Sequence, residues 1–179
     1  MSGAHGKGLV LVHTGDGKGK TTAALGLALR AAGHGRKVFI IQFMKGDPDY
    51  GELVVIRRHL GSYIEVVQSG LPTFVDRDDP SPEDRRLARD GMDLAGHILK
   101  AGAHGLVILD EVNVALDYGL VNLQELLEKV ANRAPGVDVV LTGRNAPAAL
   151  LAAADLVSEV VEVKHHFRRG VPARKGMEH

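Results

Sequence analysis

The sequence predicts an α/β fold, with one doubly wound, mainly parallel sheet of six strands and helices on both of its faces. Short apolar segments alternate along the chain with longer segments of helical periodicity, which is the pattern of strand–helix–strand units. The strand segments, such as residues 9–12 and 38–41, are apolar throughout, which is typical of strands buried on both faces. A glycine-rich loop, residues 15–19, joins the first strand to the first helix. In such sheets the functional site lies at the carboxyl ends of the strands.

The first half of the chain supplies three strands and two helices. Residues 7–13 are predicted to form the first strand, and the Ala- and Leu-rich residues 21–32 the first helix, which Gly33 and Gly35 end. The same signals predict a strand at 37–43, a short helix at 51–60 and a strand at 63–68.

The second half begins with a long loop and a well-marked helix. Residues 69–80 contain glycine, two prolines and acids, and are predicted to be a loop. Ser81 is a favourable N-cap, Pro82 suits the first helical position, and the following acids face the helix dipole. This helix is predicted to end at Gly102. The elements predicted after it are a strand at 106–109, a helix at 122–132, a strand at 137–141, a helix at 146–154 and a strand at 156–163.

Length and composition favour one globular domain, residues 1–179, with a flexible segment at 1–6 and a basic tail at 164–179. The net charge is +0, with 22 basic and 22 acidic residues, which argues against binding to nucleic acid or to a membrane surface. The chain has no cysteine, which excludes disulfides and thiolate sites and is compatible with a cytoplasmic location. No apolar segment is long enough to span a bilayer.

The most informative segment follows the first strand. Residues 14–22 have the sequence TGDGKGKTT, a phosphate-binding loop of the Walker A kind. The glycines let several backbone N–H groups point at one phosphate, Lys20 adds a positive charge, and Thr21 offers a hydroxyl to Mg²⁺. The alternative is a strand–helix turn that binds nothing, which the flanking strand and helix disfavour. The loop therefore predicts a nucleotide ligand and a P-loop NTPase-like fold.

This loop departs from the general pattern G-x-x-x-x-G-K-[ST]. The pattern places its first glycine at position 14, where this chain has Thr14, and Gly15 comes one residue late. The loop is therefore shorter by one residue, and it contains a second lysine, Lys18. We expect it to hold a triphosphate differently from an ordinary kinase or GTPase.

Polar residues at the ends of later strands complete the predicted site. Asp110 and Glu111 follow an apolar strand, as in a Walker B segment, so that one carboxylate could bind Mg²⁺ and the other orient a neighbour or act as a base. Arg144 follows the fifth strand and could pair with a phosphate, or it could be a surface arginine. Residues 164–166, Lys-His-His, could reach a phosphate or a carboxylate-bearing substrate, or could belong to a solvated basic tail.

Taken together, these segments resemble the ATP:corrinoid adenosyltransferases of the CobA/CobO/BtuR family. The resemblance covers nearly the whole chain, and its specific features are the short loop with Lys18, a Gln-Phe-Met-Lys-Gly strand end and a Lys-His tail. The stretches that carry the resemblance are residues 14–24, 31–35, 41–46, 109–111, 141–144, 163–165 and 170–178.

The resemblance implies a reaction in which the Co(I) centre of a corrinoid attacks C5′ of the ATP ribose and triphosphate leaves. Co(I) is itself the nucleophile, so the protein needs to hold ATP, in an orientation reversed relative to ordinary P-loop enzymes, and to stabilise the leaving charge. The implied catalytic residues are Lys20, Glu111 and Phe74. Mg²⁺ or Mn²⁺ would be held by Thr21 and Glu111. ATP would be bound by Gly15, Asp16, Gly17, Lys18, Gly19, Lys20, Thr21, Thr22, Arg144 and, at the nucleoside end, Arg30.

One loop differs from the well-known branch of the family, in which a Gly-Phe-Thr-Trp stretch closes over the corrin and excludes the lower axial ligand, easing reduction of Co(II) to Co(I). Here residues 70–74 are Gly-Leu-Pro-Thr-Phe. Phe74 takes the place of the Trp, and Pro72 stands where the Phe would be. The alternative for Phe74 is a plug that packs into the core beneath the loop.

Two other functions stay open at this point. One is a different P-loop enzyme, a kinase or NTPase that would release ADP, and the other is a non-catalytic ATP-gated corrinoid carrier. The resemblance further implies a homodimer and a transient flavoprotein reductant. The preferred corrinoid, cobalamin or cobyrinic acid a,c-diamide, is not decided by the sequence.

Overall fold

The protein is described here by a computed structural model that covers residues 6–177 of the chain. Its strands are β1 (Val10–Thr14), β2 (Val38–Phe43), β3 (Ile64–Ser69), β4 (Leu106–Asp110), β5 (Asp138–Thr142) and β6 (Leu156–Glu159). They form one sheet in the order β3-β2-β4-β5-β1-β6, and every neighbouring pair is parallel. The prediction of a six-stranded parallel sheet is confirmed.

The helices lie between the strands along the chain. They are α1 (Lys20–Gly33), α2 (Gly51–Val55), α3 (Pro82–Ala101), α4 (Val112–Asp117), α5 (Leu123–Ala131) and α6 (Ala148–Ala153). A π-helical turn, Ile56–Leu60, continues α2, so that the helix predicted at 51–60 is present with a wider second half. Helix α4 was not predicted, because its start is set by the left-handed turn at Glu111 and not by a local helix-start signal.

Two apolar layers cover the sheet. On one face, small residues of α1, such as Ala24 and Ala28, pack with Ile40, Ile108 and Val140. On the other face, α3, α4 and α5 pack against the alternate residues of the same strands; the buried residues of this layer include Phe39, Ile41, Val107, Leu109, Ala88, Met92, Ala95, Ala115 and Leu126. Because neighbouring residues of β2 and β4 face opposite layers, both strands are apolar except near their carboxyl ends, where Gln42 and Asp110 lie.

Helix α3 begins and ends where the sequence predicts. Ser81 Oγ accepts a hydrogen bond from Asp84 N (3.1 Å), and the Asp84 carboxylate accepts one from Ser81 N (3.0 Å), which forms a capping box. At the other end, Gly102 adopts a left-handed conformation with φ 67°. Both ends of the helix are therefore marked by local sequence.

The two strands at one side of the sheet differ from the prediction at their ends. β1 begins at Val10 rather than at residue 7, because carboxylates of Asp138 and Asp155 accept the N–H groups of Leu9 and Val10 (2.8 Å each). β6 ends at Glu159 rather than at residue 163. Its pairing partner β1 turns into the glycine-rich loop there, so the predicted extension to 163 is wrong.

The chain ends lie mostly outside the predicted elements. Of the segment predicted to be flexible, 1–6, only Gly6 is described, and its carbonyl accepts a hydrogen bond from Gly136 N (3.1 Å). The basic tail contains one short 3₁₀ helix, His166–Arg169, and its last two residues, 178 and 179, lie outside the described residues. No helix within residues 6–177 has the length and apolar character to cross a membrane.

Candidate functional site

The carboxyl ends of β1, β2, β4 and β5 meet at one edge of the sheet, and the segments that follow these strands form the candidate site. Residues 15–19, the glycine loop, connect β1 to the first residue of α1, Lys20. Gly15 has φ 94° and Gly19 has φ 122°, conformations that L side chains rarely adopt. The loop therefore curls tightly before the helix begins.

The glycine loop is packed against the segment that follows β6. Gly17 N donates a hydrogen bond to the Val160 carbonyl (2.7 Å). A Cβ atom on Gly15 or Gly17 would lie 2.6 or 2.7 Å from that carbonyl oxygen. Neither position can therefore accept a side chain without moving the backbone, which gives the glycine content of the loop a structural cause.

Lys20 lies with its ammonium group inside the curve of the loop. The side chain is buried, and its Nζ donates hydrogen bonds to the carbonyls of Gly15 and Gly17 (2.7 Å each). Burial lowers the pKa of Lys20, while the carboxylate of Glu111 acts in the opposite direction. The loop thus holds a positive charge among its own carbonyls, at the place where a bound anion would approach.

Asp110, the last residue of β4, is the centre of a network that joins four segments of the chain. Its Oδ1 accepts hydrogen bonds from the hydroxyls of Thr21 (2.8 Å) and Thr142 (2.7 Å). Its Oδ2 accepts from Lys45 Nζ (2.7 Å) and from the Gln42 amide (3.3 Å). The carboxylate is 1% exposed, so this network fixes the Thr21 hydroxyl at the start of α1.

Glu111 adopts a left-handed conformation with φ 59° and begins the turn into α4. Its N–H donates to Thr142 Oγ1 (3.0 Å). Burial and then the neighbouring charge of Asp110 raise the pKa of the Glu111 carboxyl, against the effect of Lys45 and Lys20. A carboxylate destabilised in this way gains from a nearby cation.

The oxygen atoms at this edge of the sheet are suitable ligands for a small divalent cation. The Glu111 carboxylate and the Thr21 hydroxyl supply oxygen atoms, which Mg²⁺ prefers, and Asp110 lies beside them. Between residues 6 and 177 there is no group of three or more His, Cys, Asp or Glu side chains able to hold a metal by themselves. The residues present therefore fit a metal that completes its coordination with phosphate oxygens and water.

Arg144 extends from the segment after β5 to the glycine loop. Its guanidinium donates to the Asp16 carbonyl (3.2 Å), and its Nε lies 3.9 Å from the Asp16 carboxylate. Gly143, with φ 129°, packs against Asn113, whose amide donates to the Gly143 carbonyl (3.1 Å). The structure thus brings the predicted arginine to the predicted loop and braces the turn that carries it.

The other predicted nucleotide residues occupy different positions. Lys18 donates to the Met177 carbonyl (2.6 Å), and so contacts the basic tail. Thr22 is exposed in the first turn of α1. Arg30 comes ten positions after Lys20, about 15 Å along the helix, and the structure does not bring it to the loop. Its contact with the nucleoside stays a prediction without structural support.

Phe74 is fully exposed in the loop before α3, so the alternative that it plugs the core is wrong. The same loop is tied to the site by Arg77, which forms an ion pair with Asp117 (3.1 Å). The other oxygen of Asp117 accepts from the Asn145 amide (3.0 Å). Asp117 therefore links the loop that carries Phe74 to the turn that carries Arg144.

The Lys-His-His segment follows the part of the chain that contacts the glycine loop. Lys164 is exposed, and the rings of His165 and His166 are stacked with their centroids 4.7 Å apart. The segment begins four residues after Val160, whose carbonyl accepts a hydrogen bond from the glycine loop. Its contact with a ligand stays a prediction.

Sequence reasoning gave no individual role to several residues of the network. Gln42, Lys45 and Thr142 contact Asp110 directly, and Asn113 supports the turn at Gly143. Their shared signal is position, because each lies at or just after the carboxyl end of a strand, at the same edge of the sheet as the glycine loop.

The sequence of this chain matches one known family over nearly its whole length. Residues 6–179 match the family model described as ATP:corrinoid adenosyltransferase BtuR/CobO/CobP. The corrinoid adenosyltransferase of Pseudomonas aeruginosa is 38% identical over 172 residues, covering 96% of this chain and 84% of the relative. The relatives of the same name from Sinorhizobium sp. and Escherichia coli K12 are each 36% identical, covering 96% and 97% of this chain and 80% and 86% of their own lengths.

A solved structure resembles this chain in fold. The KaiC-like protein of Pyrococcus horikoshii OT3 superposes with a TM-score of 0.54 at 17% sequence identity, covering 87% of this chain and 72% of that protein. At this level of identity the likeness concerns the P-loop NTPase-like fold alone.

Proposed function

Since this chain belongs to the ATP:corrinoid adenosyltransferase family and transfers the adenosyl group of ATP to a corrinoid, we propose that its glycine loop and the ends of β4 and β5 form the site of that transfer. The observation that carries this proposal is that Lys20, whose ammonium group is held inside the glycine loop, is followed by Thr21, whose hydroxyl is bonded to the buried Asp110 carboxylate. The family gives no support to a kinase or to a non-catalytic carrier.

Lys20 and the loop amides bind the triphosphate of ATP. The Co(I) centre attacks C5′ of the ribose, a cobalt–carbon bond forms, and the C5′–O bond breaks with its electron pair passing to the triphosphate. The catalytic contribution of the chain is to hold C5′ in line and to stabilise the growing charge on the leaving group. Lys20, Arg144 and the N-terminus of α1 all offer positive charge there.

Mg²⁺ or Mn²⁺ is held by the Thr21 hydroxyl and the Glu111 carboxylate. When bound, the metal neutralises charge on the triphosphate. Asp110 orients Thr21 for this contact, because its Oδ1 accepts the Thr21 hydroxyl proton (2.8 Å). The raised pKa of Glu111 supports this role, because a cation would relieve the cost of its buried negative charge.

Phe74 packs on the face of the corrin. Its complete exposure supports this, since a large apolar side chain that has no partner in the fold is available to a ligand. The contact displaces the lower axial ligand and eases reduction of Co(II) to Co(I). Arg77 and Asp117 hold the base of the loop while the tip stays open.

Three further proposals concern the setting of the enzyme. A homodimer is supported by the apolar edge at β6, where Leu156 and Val157 are 46% and 45% exposed, and sedimentation velocity tests it. A flavoprotein supplies the electron that reduces Co(II), and the location is the cytoplasm, which cell fractionation tests.

The testing experiment is an anaerobic incubation of the protein with ATP, Mg²⁺ and chemically reduced cob(I)alamin, followed by visible spectroscopy and a triphosphate assay. A light-sensitive adenosylcorrinoid spectrum with stoichiometric triphosphate is expected. Release of ADP and phosphate, or intact ATP with each corrinoid tried, would contradict the proposal. A parallel incubation with cob(I)yrinic acid a,c-diamide compares the two candidate corrinoids.

A further inference from the structure

Lys45 is the second lysine of the site, and it contacts the carboxylate that orients Thr21. It lies two residues past β2, and its Nζ is 2.7 Å from Asp110 Oδ2. Its side chain is 17% exposed, against 1% for Asp110, so the ion pair is largely shielded from water.

The Asp110 carboxylate is saturated by protein donors. A carboxylate offers about four lone-pair sites, and Asp110 accepts from four groups: Thr21, Thr142, Gln42 and Lys45. A metal ion can reach Asp110 directly only if one donor leaves. Among the four donors Lys45 is the charged one, and it supplies the positive charge that a metal would otherwise provide.

The backbone around Lys45 is constrained, so the lysine is directed to this carboxylate by the fold. β2 pairs with β4 with Gln42 opposite Asp110, and Met44 then turns with φ 57°. A Cβ atom on Gly70 would lie 2.5 Å from Lys45 N, so the segments after β2 and β3 are in close contact. The lysine therefore stands beside Asp110 before any ligand arrives.

We propose that in the nucleotide-free enzyme the ammonium group of Lys45 balances the negative charge of Asp110, as a nearby metal ion would. The divalent metal then binds only together with ATP. This inference rests on the proposed metal site at Thr21 and Glu111. Without nucleotide, a metal ion would have to bind close to the positive charges of Lys45, Lys20 and Arg144. All three lie near enough to Glu111 to lower the pKa of its carboxyl. ATP adds several negative charges, which offset the positive charges of the lysine and the metal together.

The inference is tested by Mn²⁺ binding, measured from the loss of the free-ion signal in electron paramagnetic resonance, with no corrinoid present. Wild type is expected to bind Mn²⁺ weakly alone and about one ion per chain with ATP. Lys45→Met is expected to bind Mn²⁺ without nucleotide at least about tenfold more tightly than wild type, because an adjacent positive charge is gone. Lys45→Arg keeps the charge and is expected to match wild type.

A double variant identifies the carboxylate involved. In Lys45→Met/Asp110→Asn both charges are absent, and the nucleotide-free Mn²⁺ binding gained by Lys45→Met should be lost again. Removing one partner of a buried ion pair lowers stability, so titrations are made well below each melting temperature. Lys45→Gln, which retains a hydrogen-bond donor without charge, replaces Lys45→Met if that variant does not fold.

The outcomes separate this inference from the function on which it rests. Equal nucleotide-free Mn²⁺ affinity in wild type, Lys45→Met and Lys45→Gln would overturn the role of Lys45, even if wild type binds Mn²⁺ with ATP. Absence of ATP-dependent Mn²⁺ binding in wild type would overturn the metal site and the inference together. Tight Mn²⁺ binding by wild type alone would also overturn the inference, because it would show that Lys45 does not keep the metal out.

Discussion

At the scale of single residues, Lys20 carries the sharpest prediction. We expect Lys20→Ala to lower triphosphate formation by at least about 10²–10³-fold, because it removes the charge that the loop holds for the leaving group. The melting temperature should stay close to that of wild type, since the sheet and α1 do not depend on this contact. Lys100→Ala, at an exposed lysine near the end of α3, is the matched control. Full activity of Lys20→Ala would contradict the assignment of the phosphate loop.

Glu111 predicts a dependence of stability on pH. Burial, and then the charge of Asp110, raise the folded-state pKa of Glu111 above the ordinary 4.5. At a pH between 4.5 and the folded-state pKa, the folded chain therefore binds more protons than the unfolded chain. The free energy of unfolding of wild type therefore falls as the pH rises through this range, and the loss of stability is complete above the folded-state pKa. Glu111→Gln cannot ionise at this position.

With EDTA present, we therefore expect Glu111→Gln to melt above wild type at pH 8 and the difference to vanish toward pH 4. Differential scanning calorimetry at both pH values measures this difference. The same variant should lose Mg²⁺-dependent activity. A difference in melting temperature that is constant across the pH range would show that ionisation of Glu111 is not its cause.

Phe74 separates packing from catalysis. Because the side chain is fully exposed, we expect Phe74→Ala to change the free energy of unfolding by less than about 0.5 kcal/mol. Turnover that starts from Co(II) should fall far more than turnover from chemically reduced Co(I). The two rates are compared in the same anaerobic assay, and equal losses would argue against a role in excluding the axial ligand.

The positions of residues 14–22 and 110–111 at one edge of the sheet were predictable, because each follows from a short local pattern. The role of Lys45 was not, because an ion pair between residues 45 and 110 depends on β2 and β4 being neighbours. The contact of Lys18 with Met177 was missed for the same reason, since it joins positions 159 apart in the chain.

At the scale of elements, the capping box of α3 has a measurable contribution. We expect Ser81→Ala to lower the free energy of unfolding by about 1 kcal/mol, because Asp84 N loses its acceptor and Ser81 N keeps only a weakened partner. Urea unfolding followed by circular dichroism measures the change. Ser62→Ala, at an exposed serine, serves as the control, and an equal effect there would exclude the cap as the cause.

The long helices were predicted with their ends, whereas the end of β6 and the short helix α4 were not. α1 and α3 carry enough periodicity and clear end signals for their positions to follow from sequence. The end of β6 depends on where β1 stops, and α4 is fixed by the left-handed turn at Glu111. The ends of these two elements are set by tertiary contacts, so a local sequence pattern does not predict them.

At the scale of the whole molecule, the arrangement of strands explains why distant segments share one site. β5 lies between β1, which leads into the glycine loop, and β4, which carries the carboxylates. Thr142, at the end of β5, can therefore contact both Asp110 and Glu111. A parallel sheet was predictable from the apolar strands. The order of the strands in the sheet was not, because the composition of a strand does not determine which strand it pairs with.

The exposure of Phe74 also has a practical use, because the chain contains no tryptophan. A Phe74→Trp variant would carry a single indole fluorophore at the tip of the loop, with only three tyrosines as background. Corrins absorb light in the range where indole emits, so a bound corrinoid should quench this fluorophore by energy transfer. The arrival of the corrinoid could then be timed by stopped-flow fluorescence, separately from the chemistry that follows it.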